Sequence, residues 1–214
     1  MKKILATLLA VSSVAAFADS FQDFNNNAYL SYGLATPLQG YGSADGSQQN
    51  MVGLGATLQT KNNIWANASV AQGNYVGDND ANTNSGNTHL NLRAGYAFQF
   101  FGNDTNGFQV IPYASFGAIN NNNYTWGVGA QPEYRFLKSL KVSMGLGVLG
   151  ANGTQFNATG NSSTTSFGFN VNPEVQYNIA QIIMVSVGYN YISNFNTSQP
   201  LVSNALTAKV GYLF

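Results

Sequence analysis

The chain has 214 residues with eight basic and eight acidic side chains, one histidine and no cysteine, so disulfides, thiol chemistry and cysteine-based metal sites are excluded. The charge balance also argues against a nucleic-acid partner. Only 7% of the residues are charged while 44% are apolar, against roughly 25% charged in ordinary soluble domains.

Asn, Gly, Ser, Thr and Gln take the place of the missing charges, and 12 Tyr with 14 Phe are too many aromatics for a disordered chain. The first segment, MKKILATLLAVSSVAAFADS, sets two lysines before an apolar run from Ile4 to Phe17, and Ala16-Phe17-Ala18 has the small-x-small form of a cleavage site. It reads as a secretory signal peptide over residues 1–18. Residues 19–214 are then the mature domain, and losing Lys2 and Lys3 takes its basic count from 8 to 6 against 8 acidic residues. No later apolar stretch reaches the length of a spanning helix. A membrane crossing must therefore be made by strands.

Period-two alternation dominates everything after the leader and predicts ten strands. Segment 28–36 carries Leu30, Tyr32 and Leu34 on its apolar register; 49–60 carries Val52, Leu54, Ala56 and Leu58; 63–73 carries Ile64, Ala66, Ala68 and Val70. Next come 87–100 with Leu90, Leu92, Ala94, Tyr96, Phe98 and Phe100, and 108–119 with Phe108, Val110, Ala114, Phe116 and Ala118. Segment 124–136 offers Tyr124, Trp126, Val128, Ala130, Tyr134 and Phe136, and 140–149 offers Leu140, Val142, Met144, Leu146 and Val148. The series ends with 166–178, 182–192 and 204–214. The opposite register is almost uniformly small or polar.

Linkers sort by length. Those after odd-numbered segments are mostly long, at 37–48, 74–86, 150–165 and 193–203, with a short exception at Asn120–Asn123. Those after even-numbered segments are short: Lys61-Asn62, 101–107, Leu137–Ser139 and Ile179–Gln181. Long loops on one side and tight turns on the other suit an antiparallel transmembrane β-barrel. A Greek-key sandwich has no reason to sort its loops in this way. Aromatics cluster near both segment ends, as interfacial girdles do. Gln131-Pro132-Glu133 and Asn172-Pro173-Glu174 place the same Pro-Glu pair in the sixth and eighth segments. A closed barrel has no edge strand to shelter a proline, so bulges or frayed pairing are expected there.

The ending LTAKVGYLF resembles the C-terminal strand signal of outer-membrane β-barrel proteins, in which a terminal Phe follows alternating aromatic and apolar residues. With the leader, the alternating strands and the Pro-Glu segments, the chain resembles the small outer-membrane barrels of the opacity and OmpA-transmembrane type. That resemblance implies an all-β closed up-and-down meander in the bacterial outer membrane. It implies eight strands where the periodicity gives about ten, and it makes Tyr212 and Phe214 the assembly signal read by the barrel-assembly machinery. Outer-membrane lipid and lipopolysaccharide are the other expected partners, and a surface ligand of the loops stays open.

Inward charges fall in a band formed by Arg93, Glu133, Arg135, Glu174 and Lys209, with Lys141 lower. Either they form a constriction that filters solutes by charge, or they form an ion-pair network that fills the lumen. Glycines above the band, among them Gly53, Gly55, Gly127, Gly129, Gly145 and Gly147, suggest a vestibule open to the outside or space for packed aromatics.

The one histidine, His89, lies near the loop end of the fourth segment, after Asp78 and Asp80. An omptin-like Asp–His pair would need a second Asp near it, and a lipid-A deacylase would need a Ser, which Thr88-His89-Leu90 does not supply. A non-enzymatic barrel without metal or cofactor is expected, passing small hydrophilic solutes through a narrow porin-like lumen. The alternative is a non-conducting surface, structural or adhesion barrel acting through its extracellular loops.

Overall fold

A computed structural model describes residues 21–36, 48–76, 87–102, 106–119, 123–152, 165–195 and 202–214. The expected leader and most of the long loops, with Asp45, Asp78 and Asp80, lie outside the described residues. A one-turn helix, α1 (Gln22–Asn25), precedes eleven strands. These are β1 (Asn27–Thr36), β2 (Gln48–Gln59), β3 (Ile64–Val76), β4 (Asn87–Tyr96), β5 (Phe98–Gly102) and β6 (Asn106–Ile119), followed by β7 (Asn123–Phe136), β8 (Leu140–Asn152), β9 (Thr165–Ile179), β10 (Ile183–Asn194) and β11 (Val202–Leu213).

Apart from β4 and β5, sequence-adjacent strands pair antiparallel, and β1 closes on β11 from Asn27↔Leu213 to Thr36↔Asn204. Strands β4 and β5 both pair with β6, so they are one stave of the wall interrupted at Ala97. The barrel therefore has ten staves, the number given by the alternation. The eight implied by the resemblance is corrected. Closure gives every stave a neighbour on both sides, which is the condition for strands in hydrocarbon.

The interruption at Ala97 has a chemical cause. Pairing of β4 with β6 runs to Gly95↔Tyr113 and resumes in the same register at Phe98↔Val110, leaving Tyr96 and Ala97, opposite Pro112 and Ile111, unpaired on that side. The Pro-Glu segments behave alike. The β7–β8 ladder skips Gln131 and Pro132 between Ala130↔Leu146 and Glu133↔Ser143, and the β9–β10 ladder skips Asn172 and Pro173 between Val171↔Tyr191 and Glu174↔Gly188. In all three the register survives, and the ladder on the proline's other side is continuous. A missing N–H thus costs local pairing on one side only. The expected fraying is present, without a bulge at these sites; the one register shift in the β5–β6 pair is at Gln99/Phe101.

The tight turns between staves carry left-handed residues, with φ of 62° at Asn63, 59° at Leu137, 51° at Ala180 and 57° at Gln181. Such backbone suits short hairpin connections.

The predicted apolar register faces outward. Leu30, Leu54, Leu92, Val128, Val148, Val187 and Val210 are all exposed, Val128 at 66%. A continuous apolar band of this kind is stable only against lipid. Outward aromatics group at the rims: Tyr134 and Phe136 have ring centroids 4.3 Å apart and Tyr96 and Phe98 4.9 Å apart near the short turns, while Phe116 and Tyr124 stack at 6.1 Å toward the loops.

The inner register is less uniform than the sequence suggests. Trp65, Ala97, Ile111 and Tyr113 form one buried apolar cluster and Tyr29, Met184 and Leu213 another. Glycine makes room for the two tyrosines. Tyr29 is paired with Gly55 on β2 and Gly211 on β11, and Tyr113 with Gly95 on β4 and Gly129 on β7. A Cβ at Gly55 would lie 2.5 Å from the Tyr29 ring, and one at Gly129 would lie 2.6 Å from the Tyr113 hydroxyl. Each ring lies over backbone that has no side chain of its own.

Candidate functional site in the barrel lumen

The short-turn end of the lumen is filled by residues 21–26. Their backbone turns through Phe24 N–H and Asn25 N–H to the Phe21 carbonyl and Asn26 N–H to the Gln22 carbonyl. Phe21 and Phe24 are buried, at 1% and 0% exposure. The segment is fastened to widely separated staves: Gln176 Nε2 on β9 donates to the Phe24 carbonyl at 3.0 Å, and Asn25 Nδ2 donates to Gln59 Oε1 on β2 at 2.7 Å and to Glu133 Oε2 on β7 at 2.9 Å. The Arg135 guanidinium lies 5.8 Å from the Phe21 ring centroid. Phe21 also occupies the space over Gly107, where a Cβ would come within 2.7 Å of the ring.

Glu133 is the centre of this lower layer and has no exposed surface. It accepts from Gln109 Nε2 at 2.6 Å and Gln131 Nε2 at 2.7 Å, and its Oε1 is 3.4 Å from Lys141 Nζ. Lys141 also donates to Asn25 Oδ1 at 2.5 Å. Both carboxylate oxygens thus have charged or amide donors, which is the condition for keeping a buried carboxylate.

A second layer lies above. Glu174 on β9 pairs with Lys209 on β11, reaching over β10 where Ser186 and Gly188 are small. Lys209 Nζ is 5.0 Å from the Tyr29 ring centroid, and Arg93 is 5.4 Å from that of Tyr113. Glu174, Lys209, Tyr29 and Arg93 line a cavity of about 80 Å³, walled also by Asn67, Gln131, Ser143, Asn172 and Trp65. On its outer side Asn170 Nδ2 donates to Asn172 Oδ1 at 2.6 Å, and Asn172 Nδ2 donates to Asn190 Oδ1.

The charged residues anticipated from the sequence therefore all face the lumen but divide into separate groups. Glu133 is with Lys141, Glu174 is with Lys209, Arg93 lies over Tyr113, and Arg135 lies against Phe21 with Nη2 3.5 Å from the Asn106 carbonyl. Sequence reasoning missed Asn25, Gln59 and Gln109, and with them the filling of the mouth by residues 21–26. The available signal was Phe21 and Phe24, an i, i+3 apolar pair in a polar stretch just before β1. At the same rim, Tyr212 of β11 faces outward, and Phe214 N–H donates to the Asn26 carbonyl. His89 lies on β4 with Nε2 buried and without a hydrogen-bond partner. Among the described residues, no three His, Cys, Asp or Glu side chains gather as a metal site would require.

Across residues 4–214 the chain matches the Outer membrane protein beta-barrel domain family. The chain belongs to this family. As a member of the outer-membrane β-barrel family it is an integral outer-membrane protein, in keeping with the apolar outer band. A search of curated proteins returns no match. Among solved structures the NanC porin is 11% identical, with a TM-score of 0.53 over 87% of this chain and 100% of that one. The KdgM porin is 10% identical, with a TM-score of 0.45 over 87% and 99%. Ail, the attachment invasion locus protein of Yersinia pestis, is 13% identical, with a TM-score of 0.39 over 88% and 97%. At such identity the likeness to the NanC porin extends to the barrel fold alone.

Proposed function

We propose that this barrel is a narrow porin-like channel for small hydrophilic solutes, held closed here by Phe21–Asn26. The observation that carries this reading is the lumen itself: a polar cavity of about 80 Å³ below rows of small inward residues, blocked toward the short turns by a segment that is not part of the wall. Removing that segment opens the mouth without removing a stave. Glu133, Arg135, Glu174, Lys209 and Arg93 are then the charges a solute passes.

Planar-bilayer conductance of the refolded protein tests it. The full chain should give small, infrequent openings, and a chain lacking residues 21–26 should give larger and steadier ones. Glu133→Ala and Arg135→Ala should change conductance or ion selectivity. Silence from both the full and the shortened chain over repeated insertions would sink the channel reading.

The number of hydrogen bonds that fix residues 21–26 favours a second reading, a permanently closed structural or surface barrel acting through its loops. In either case we assign no catalytic role, since His89 has no acidic or hydroxyl partner among the described residues. Turnover of peptide or lipid A substrates that His89→Ala abolishes would reverse that assignment. We further propose residues 1–18 as the export leader, lipid and lipopolysaccharide as the surroundings of the apolar band, and Tyr212 and Phe214 as the contacts read by the barrel-assembly machinery.

A further inference from the structure

The charges around the lumen cavity do not cancel. Arg93, Lys141, Lys209 and Glu174 line it. Lys141 is paired with Glu133 and Lys209 with Glu174, whereas Arg93 has no ion pair among the described residues and rests against the Tyr113 ring. The hydrogen-bond inventory leaves one donor and one acceptor of the lining open. Trp65 also lines the cavity, is 3% exposed, and its Nε1–H, which can only donate, has no partner. The buried Oδ1 of Asn27, an acceptor that also lines the cavity, has none either.

The amides nearby are committed elsewhere. Asn67 Nδ2 donates to Thr57 Oγ1 at 2.9 Å and Gln131 Nε2 to Glu133 at 2.7 Å. What remains beside a cavity of about 80 Å³ is an indole N–H with no acceptor and one cation with no ion pair among the described residues. Water could satisfy a donor there, since one water occupies roughly 10–15 Å³ measured in this way. Water does not neutralise a guanidinium, and at the half-buried Arg93 a counter-charge would form a stronger, charge-assisted hydrogen bond than water does.

We propose that the cavity beside Arg93 and Trp65 binds one small oxyanion, of the carboxylate or phosphate class. The anion takes charge-assisted hydrogen bonds from Arg93 and a neutral one from the Trp65 indole, with the Glu174–Lys209 pair as its opposite wall. The site does not depend on the channel reading, because a non-conducting barrel would hold the same ion.

Trp126 faces lipid, so Trp126→Phe leaves Trp65 as the only tryptophan of the two and makes its emission a local reporter. This protein, refolded in detergent, is titrated with sodium phosphate and separately with sodium acetate. A bulky sulfonate, too large for the cavity, holds the ionic strength constant. A saturable emission change with at least one ion is expected. Arg93→Gln should weaken it by about tenfold or more, the loss expected for a charge-assisted hydrogen bond, while Lys61→Gln in a short turn should leave it unchanged. A response that does not saturate, or the same midpoint in Arg93→Gln, would overturn the proposal. If Arg93→Gln gives no heat-modifiable barrel on unboiled gels, Trp65→Phe, which keeps an aromatic ring but removes the N–H donor together with part of the indole, is read by calorimetry. Weaker binding there supports the site, and unchanged affinity overturns it.

Discussion

Two stretches of the wall carry the same short pattern and do different things. In Gln131-Pro132-Glu133 and Asn172-Pro173-Glu174 the glutamates lie on one rung of the sheet, since Glu133 pairs with Ser143 and Ser143 with Glu174. Glu133 is sealed under residues 21–26 with amide donors from Asn25, Gln109 and Gln131 and an ion pair to Lys141. Glu174 keeps partial access to the cavity and reaches over β10 to Lys209. What differs is the occupant of the lumen in front of each. The motif brings a carboxylate into the barrel, and the neighbouring chain decides whether it becomes a structural anchor or part of a cavity wall.

The contrast should appear as a ladder of stabilities, read from thermal unfolding in detergent with the unboiled gel shift as the folded signal. Glu133→Ala strands a buried lysine and three amides and should cost most, about 3–5 kcal/mol, as when one partner of a buried pair is removed. Asn25→Ala takes away the N-terminal segment's link to that network and should cost about 1–3 kcal/mol. The two share partners, so the double variant should lose less than the sum. Glu174→Ala breaks a pair that is partly open to the cavity and should cost only about 1 kcal/mol. It should also add to Asn25→Ala without coupling. If Glu174→Ala proved as damaging as Glu133→Ala, the two sites would be equivalent and the contrast would be lost.

Much of the wall was legible in the residues, because alternation reports directly which side of a strand meets lipid. Leu30, Val52, Leu92, Val128 and Val187 each needed only their place in the period, and the ten staves followed from counting such runs. The lumen was harder to read. Its inward charges were found as residues, yet their pairing depends on which staves lie across the barrel, and alternation along one strand carries no such information. Glu174 and Lys209 are 35 positions apart in the chain and meet only because β10 presents Ser186 and Gly188 between them. The six residues before β1 were harder still. Phe21-Gln22-Asp23-Phe24-Asn25-Asn26 forms a single turn whose conformation is fixed by contacts with staves as far apart as β2, β7 and β9, so local propensity has little to say about it.

The smallest effect bears on the cause of the ladder gaps, and it uses the two stretches as each other's control. Pro132→Ala and Pro173→Ala each restore an N–H facing the neighbour where pairing is broken. The gain of one backbone hydrogen bond is opposed by the greater freedom of the unfolded chain, so stability should move by less than about 1 kcal/mol in either variant. Hydrogen exchange is the sharper measurement. If the missing donor alone makes the gap, the new amide should be protected in both variants, through pairing with β8 at residue 132 and with β10 at residue 173. If instead the pull of Asn25, Gln109 and Lys141 on Glu133 bends β7 away from β8, only the amide at 173 will be protected, because Glu174 has no such group of donors drawing it inward. The first outcome assigns the gaps to proline chemistry common to both stretches. The second makes the gap at Pro132 a consequence of seating residues 21–26 in the lumen.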